Sequence, residues 1–206
     1  MIIKVCGMRD AENIRAVEQV GIDWLGFVCS AKSPRFVSTC PAYLPNSVQR
    51  VGVFVNATEQ EITEKVSRLK LDILQLHGEE TPAFCDYIHQ RTGLPILKAI
   101  SIRDEEDFQL ALPYQYLTCL HAIVFDTKCG TGGGSGRKFD WRILEAYQGT
   151  KPFLLAGGIA PQDAADILAL KHPLLLGVDL NSRFETAPAM KDVKALESFI
   201  KQLSHK

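Results

Sequence analysis

The stretch Phe153-Leu154-Leu155-Ala156-Gly157-Gly158 sets the pattern that decides the fold: four apolar residues in succession, then glycines. A run that stays apolar on consecutive rather than alternate residues reads as a strand covered on both faces. The same form recurs at Ile2–Val5, Trp24–Val28, Val51–Val55, Ile73–Leu76, Ile96–Ile100, Ala122–Phe125 and Leu174–Val178. Between these runs lie longer stretches with helical spacing. Glu12–Val20 has apolar residues at 14, 17 and 20, an N-cap in Asp10 and a stop at Gly21. Glu59–Leu69 puts Ile62, Val66 and Leu69 on one face behind Thr58, and Pro82–Gln90 opens on proline behind Thr81. Asp104–Leu112, Asp140–Tyr147, Pro161–Leu170 and Val193–Leu203 complete the helical series. The second crossover, Ser38–Ser47, contains two prolines and has room for only a short helix.

Eight strands alternating with helices predict an α/β protein with a parallel sheet, either an open doubly wound sheet or a closed barrel. Eight units in 206 residues favour the (β/α)8 TIM barrel, with residues 1–206 as one catalytic domain. In such a barrel the chemistry belongs just past the carboxyl ends of the strands. Those positions hold Cys6-Gly7, Ser30–Arg35, Asn56, His77-Gly78, Ser101, Asp126-Thr127, Gly157-Gly158 and Asp179–Glu185.

Hydrophobic residues make up 46% of the chain, charged residues 23%, and the formal net charge is −1. Nothing in that balance directs the protein to nucleic acid or a membrane surface, so an anionic ligand must be caught by local groups. The opening MIIKVCGMRD turns polar too early for a signal peptide, and no run of about 18 apolar residues is present. Cysteines at 6, 29, 40, 85, 119 and 129 form no CxxC pair and read as reduced thiols of a cytoplasmic protein. The histidines are scattered without zinc spacing, so neither a metal nor a cofactor is expected.

Several strand-end segments, taken in order, resemble the phosphoribosylanthranilate isomerase family. They are KVCGMRD (4–10), SPRFVS (33–38), VGVFVN (51–56), LQLHGEE (74–80), FDT (125–127), LAGGI (155–159) and GVDLNSRFE (177–185). Each is weak alone; their order and register across nearly the whole chain make the match specific. Two departures stand out. Leu180-Asn181-Ser182-Arg183 replaces the family's usual serine-serine-glycine run, and Gly132–Gly136 adds a glycine-serine stretch after Asp126.

The resemblance implies an Amadori rearrangement: an N-(5-phosphoribosyl)anthranilate ring opens, a proton leaves C2 of the sugar, and a 1-deoxyribulose ketone results. That needs one acid at the ring oxygen and one base at C2. It implies Asp126 as the acid, with burial behind Ala122–Phe125 keeping it protonated, although an Asp-Thr pair at a strand end also commonly fixes a turn. It implies Cys6 as the base, although a free cysteine is most often a small buried hydrophobe. Arg35 is implied as partner of the anthranilate carboxylate, through two parallel hydrogen bonds. Gln75, His77 and Asp179 are implied at the substrate, and Gly157, Gly158, Asn181 and Ser182 at the phosphate. Arg183 is expected to add a positive charge near that phosphate, and Cys129–Lys138 reads as either a flap over the site or a plain linker.

Three other readings compete. One is the isomerase of the related histidine-pathway aminoaldose, which uses two carboxylates and is disfavoured by Cys6. The second is a silent phosphate-ligand binder on the same barrel. The third is a cysteine-nucleophile enzyme, for which no histidine lies at the first two strand ends. The expected partner is a phosphorylated aminosugar, and the expected state a monomer or homodimer.

Overall fold

The computed structural model describes residues 1–127 and 140–204. Eight parallel strands close into one barrel in chain order. They are β1 (Ile2–Cys6), β2 (Trp24–Val28), β3 (Gln49–Phe54), β4 (Ile73–Leu76), β5 (Ile96–Ile102), β6 (Leu120–Thr127), β7 (Phe153–Ala156) and β8 (Leu175–Leu180). The ring is sealed by β1 against β8, with Lys4 opposite Asp179. The closed barrel, rather than the open sheet, is therefore the architecture.

Alternation along each strand separates two cores. Ile3 and Val5 of β1 point outward, into a layer shared with Ile14 and Val17 of α1 (Ala11–Glu18) and Phe199 of α5 (Val193–Ser204). Trp24, Val51, Ile73, Leu97, Ala122, Val124 and Leu154 fill the barrel interior. Full burial of such a side chain is worth roughly 1.5–3 kcal/mol, so these two layers supply most of the driving force. Further along the interior the inward positions turn polar, at Lys4, Cys6, Gln75, Asp126 and Asp179, and this sequence-encoded switch creates the site.

The expected caps form. Asp10 accepts from the Asn13 amide, and Thr58 and Glu61 make a reciprocal capping box on α2 (Glu59–Leu69). Thr81 caps α3 (Pro82–Thr92). The second crossover has no helix at all. Its turns are pinned instead by the buried Glu18 carboxylate, which accepts from the amides of Asn46 and Ser47 and from the Ser47 hydroxyl. Two expected helices are 3-10 segments, Glu105–Tyr114 and Trp141–Ala146. Pro113 lies inside the first, where it has no amide to donate. Pro161–Asp163 is likewise a 3-10 turn, continued by α4 (Ala164–Ala169).

One element was not expected. After β8 and the short 3-10 turn Ser182–Phe184, the chain forms a small antiparallel hairpin of β9 (Glu185–Ala187) and β10 (Met190–Lys191). The Asn13 side chain holds it to α1 through both the amide and the carbonyl of Lys191.

Candidate active site

A cavity of about 590 Å³ opens at the carboxyl ends of the strands, a size suited to a small molecule. It is lined by Cys6, Gln75, His77, Asp126, Gly157, Gly158, Asp179, Asn181 and Ser182, with Val28, Val53 and Ile159 as apolar wall. Nine of the ten residues singled out from sequence therefore meet in one space.

Cys6 ends β1, opposite Gly26 of β2. A Cβ at Gly26 would stand 2.8 Å from the Cys6 sulfur, so the glycine makes the room that the thiol occupies. Gly7 follows with φ +82°, a left-handed conformation that turns the chain out of the strand, and its amide donates to the Gly26 carbonyl. Burial pushes the Cys6 thiol up from its ordinary value, and the nearby Lys4 and Lys191 ammoniums oppose that rise.

Asp126 lies one residue before the end of β6. Its side chain is 24% exposed, so the burial expected from the preceding apolar run is only partial. What faces it is an imidazole: His77 Nε2 is 3.3 Å from Asp126 Oδ2, and Gln75 Nε2 is 3.0 Å from His77 Nδ1. Glu80 fixes the turn that carries His77 by accepting from the amides of Asn56 and Gly78, and Lys98 donates to the Gly78 carbonyl.

Asp179 accepts from the fully buried Lys4 ammonium at 2.5 Å. Its other oxygen, Oδ1, and the Gln75 Oε1 are buried without a partner among the described residues. Both are buried acceptors, and the residues that carry them line the cavity.

Gly157 and Gly158 both have positive φ, +89° and +68°. A Cβ on Gly157 would meet the Thr127 carbonyl at 2.3 Å, whereas Gly158 faces open space. The Thr127 hydroxyl reaches the Ala156 and Gly157 carbonyls and fixes this turn against β6. Beside it, after the neighbouring strand β8, Asn181 and Ser182 begin a short 3-10 turn.

Arg35 is placed differently from the others. It packs beside Gly7 and Asn181 but is not part of the cavity lining. Its Nε and Nη2 donate to the two Glu185 oxygens at 2.8 and 2.5 Å, which raises the guanidinium pKa, and Lys191 donates to the same carboxylate and to Asn181. Glu185, Lys191 and Lys4 were missed in the sequence because each gains its role from a partner on another element. Lys32, Ser30 and Ser33 also line the cavity. Arg183 is exposed and outside the lining. The glycine-rich Cys129–Lys138 lies in residues 128–139, outside those described. Among the described residues no group of three or more His, Cys, Asp or Glu is arranged to hold a metal ion. No described helix is long and apolar enough to cross a membrane.

Comparison with known proteins agrees with this geometry. The family profile described as N-(5'-phosphoribosyl)anthranilate (PRA) isomerase matches residues 3–202. A curated N-(5'-phosphoribosyl)anthranilate isomerase of Phocaeicola vulgatus is 49% identical, covering all of this chain and 99% of that protein. One of Paracoccus denitrificans is 36% identical, covering 96% and 94%. The crystal structure of phosphoribosyl anthranilate isomerase from Thermotoga maritima superposes with a TM-score of 0.81 at 32% identity, covering 98% of both chains. A phosphoribosyl anthranilate isomerase solved with reduced 1-(o-carboxyphenylamino)-1-deoxyribulose 5-phosphate gives 0.82 at 31% identity over 98% of both. From a closed barrel, a polar mouth at the strand ends and these matches across its length, the chain belongs to the N-(5'-phosphoribosyl)anthranilate isomerase family.

Proposed function

We propose that this chain, as one barrel domain, rearranges N-(5'-phosphoribosyl)anthranilate to 1-(2-carboxyphenylamino)-1-deoxyribulose 5-phosphate, with Asp126 as general acid and Cys6 as general base. The family is an isomerase family of tryptophan biosynthesis, and the observation that supports these two roles is that both side chains line one cavity. In this reading Asp126 gives its proton to the furanose ring oxygen as the ring opens to a Schiff base. Cys6 then takes the proton from C2, the C2–H electron pair forms the C1–C2 double bond of the enolamine, and the C1–N π pair of the protonated Schiff base returns to nitrogen. Protonation at C1, with loss of the C2 hydroxyl proton, completes the ketone. Cys6 accepts a proton and forms no bond to carbon.

Other residues take the roles expected from the resemblance. Gln75 and Asp179, which line the cavity with Cys6, face the sugar. The Gly157-Gly158 turn and Asn181-Ser182, at the ends of the adjacent strands β7 and β8, offer backbone and side-chain donors to the phosphate. His77 lines the cavity at the substrate and also faces Asp126. Glu185 occupies the Nε/Nη2 edge of Arg35, and its Nη1 remains for the anthranilate carboxylate. The free cysteines suit a cytoplasmic setting.

The test is the loss of anthranilate-type fluorescence when purified protein meets phosphoribosylanthranilate made in the cuvette. A rapid loss, absent in Asp126→Asn, is the expected result. No loss with folded wild-type protein would overturn the reading.

A further inference from the structure

A base that is buried must be ionised against its own desolvation, and the surroundings of Cys6 bear on how. Around it stand Lys4 on its own strand, Asp179 on β8, Lys191 on β10 and Arg35 on the segment after β2, the last two joined through Glu185. The Cys29 thiol lies next to the end of β2. Three cations meet two carboxylates, so the set carries +1 with a neutral thiol and closes to zero with a thiolate. Of the two lysines, burial pulls Lys191 below its ordinary value, whereas for Lys4 the charges of Asp179 and Cys6 outweigh burial and hold it above. Lys4 is thus the lysine whose proton its surroundings hold more tightly.

Its geometry fits that role. The Lys4 side chain is wholly buried inside the barrel, two residues before Cys6 on the same inward face. An ammonium has three N–H donors; one goes to Asp179 Oδ2, and Cys6 follows two residues on along the same inward face. We infer that Lys4 is a positioning residue for the proton transfer, its buried ammonium shared between Asp179 and Cys6 and serving as counter-ion of the Cys6 thiolate. The substrate proton moves from C2 to sulfur while Lys4 keeps its own. This rests on reading Cys6 as the base.

A purely structural Lys4–Asp179 bridge at the barrel seam makes a different demand. Removing either partner would then disturb Cys6 in the same sense. If Lys4 serves the thiolate, the two removals act in opposite senses. Lys4→Met takes away the counter-ion, and Asp179→Asn takes away its competitor.

The measurement is the pH profile of Cys6 alkylation by iodoacetamide, followed on the Cys6 peptide by mass spectrometry in ligand-free protein. The profile midpoint reports ionisation and not access. Expected are a midpoint about one pH unit or more higher in Lys4→Met and lower in Asp179→Asn, each unit a tenfold change in thiolate at a fixed lower pH. Lys4→Arg, which keeps the charge, stays near wild type. Midpoints that move together, or a Lys4→Met midpoint that does not move, overturn the inference. If Lys4→Met does not fold, Asp179→Asn decides alone: a lower midpoint supports it, and an unchanged or higher one overturns it. Failure of the base assignment itself reads out separately, as near-normal turnover in Cys6→Ser.

Discussion

Nε2 of the His77 imidazole stands 3.3 Å from Oδ2 of Asp126. With Gln75 Nε2 donating to Nδ1, the proton of a neutral ring sits on Nε2 and points at the carboxylate. With Asp126 as the proposed acid, this contact is placed to steady the carboxylate left when the proton is released. His77→Gln should therefore lower turnover about tenfold, well short of losing the acid itself, with little change in KM. Steady-state fluorescence assays check this, and an unchanged turnover number would reduce His77 to a loop-fixing residue.

Removing either proton-transfer group should be far more severe. Cys6→Ser and Asp126→Asn are each expected to cut turnover by about 10²-fold or more, the usual contribution of a general acid or base. Circular dichroism of both variants must remain that of the wild type for the comparison to count.

Gly26 is the structural condition for Cys6. A Cβ there lies 2.8 Å from the sulfur and 3.1 Å from the Cys6 Cα, so backbone as well as side chain is in the way. Gly26→Ala should destabilise by about 1–3 kcal/mol, as overpacking does, and should depress turnover by displacing the base. Denaturant unfolding and the fluorescence assay together check both halves; wild-type values in both would show that β1 and β2 separate freely.

Arg35 offers a split between binding and chemistry. Its fork is held on one edge by Glu185 at 2.8 and 2.5 Å, which suits planar, two-point recognition on the other. Arg35→Lys keeps the charge but not the fork, and should raise KM about tenfold while leaving the turnover number within about twofold, the pattern of lost uniform binding. A lowered turnover number at unchanged KM would move Arg35 from binding to chemistry.

Glu18 gives the acid stability a source. Burial alone would raise its carboxyl pKa, but donors from Tyr43, Ser47 and Asn46 outweigh burial and pull it to about 2 from the usual 4.5. A depressed folded-state value means that its stabilisation is fully present above pH 4.5 and is lost as pH falls toward 2. Glu18→Gln should melt below wild type near neutral pH, and the gap in Tm should close between those limits. A gap that stays constant through the acid range would point to packing instead.

Much of this was legible in the residues. The eight apolar runs marked a parallel sheet covered on both faces, their number in 206 residues favoured closure into a barrel, and three of them, Trp24–Val28, Ile73–Leu76 and Phe153–Ala156, match the strands residue for residue. Cys6, Asp126 and the Gly157-Gly158 turn were visible as chemistry at strand ends. The rest depended on contacts between elements. Lys4 reads as an ordinary charge in an apolar strand until Asp179, 175 residues later, is seen opposite it. Glu185 and Lys191 gain meaning only through a hairpin too short for any periodicity. Glu105–Tyr114 carries a helical pattern yet folds as a 3-10 segment, with Pro113 supplying no amide near its end.

The seam between β1 and β8 has a consequence for how the protein comes into being. The strand that bears Cys6 is made first, yet its partner on that side is completed only some 170 residues later. Throughout synthesis β1 offers an open edge, available to any neighbouring chain. Turnover therefore cannot begin in any fragment that stops short of Leu180, and the onset of activity in a stalled or refolding chain times ring closure itself.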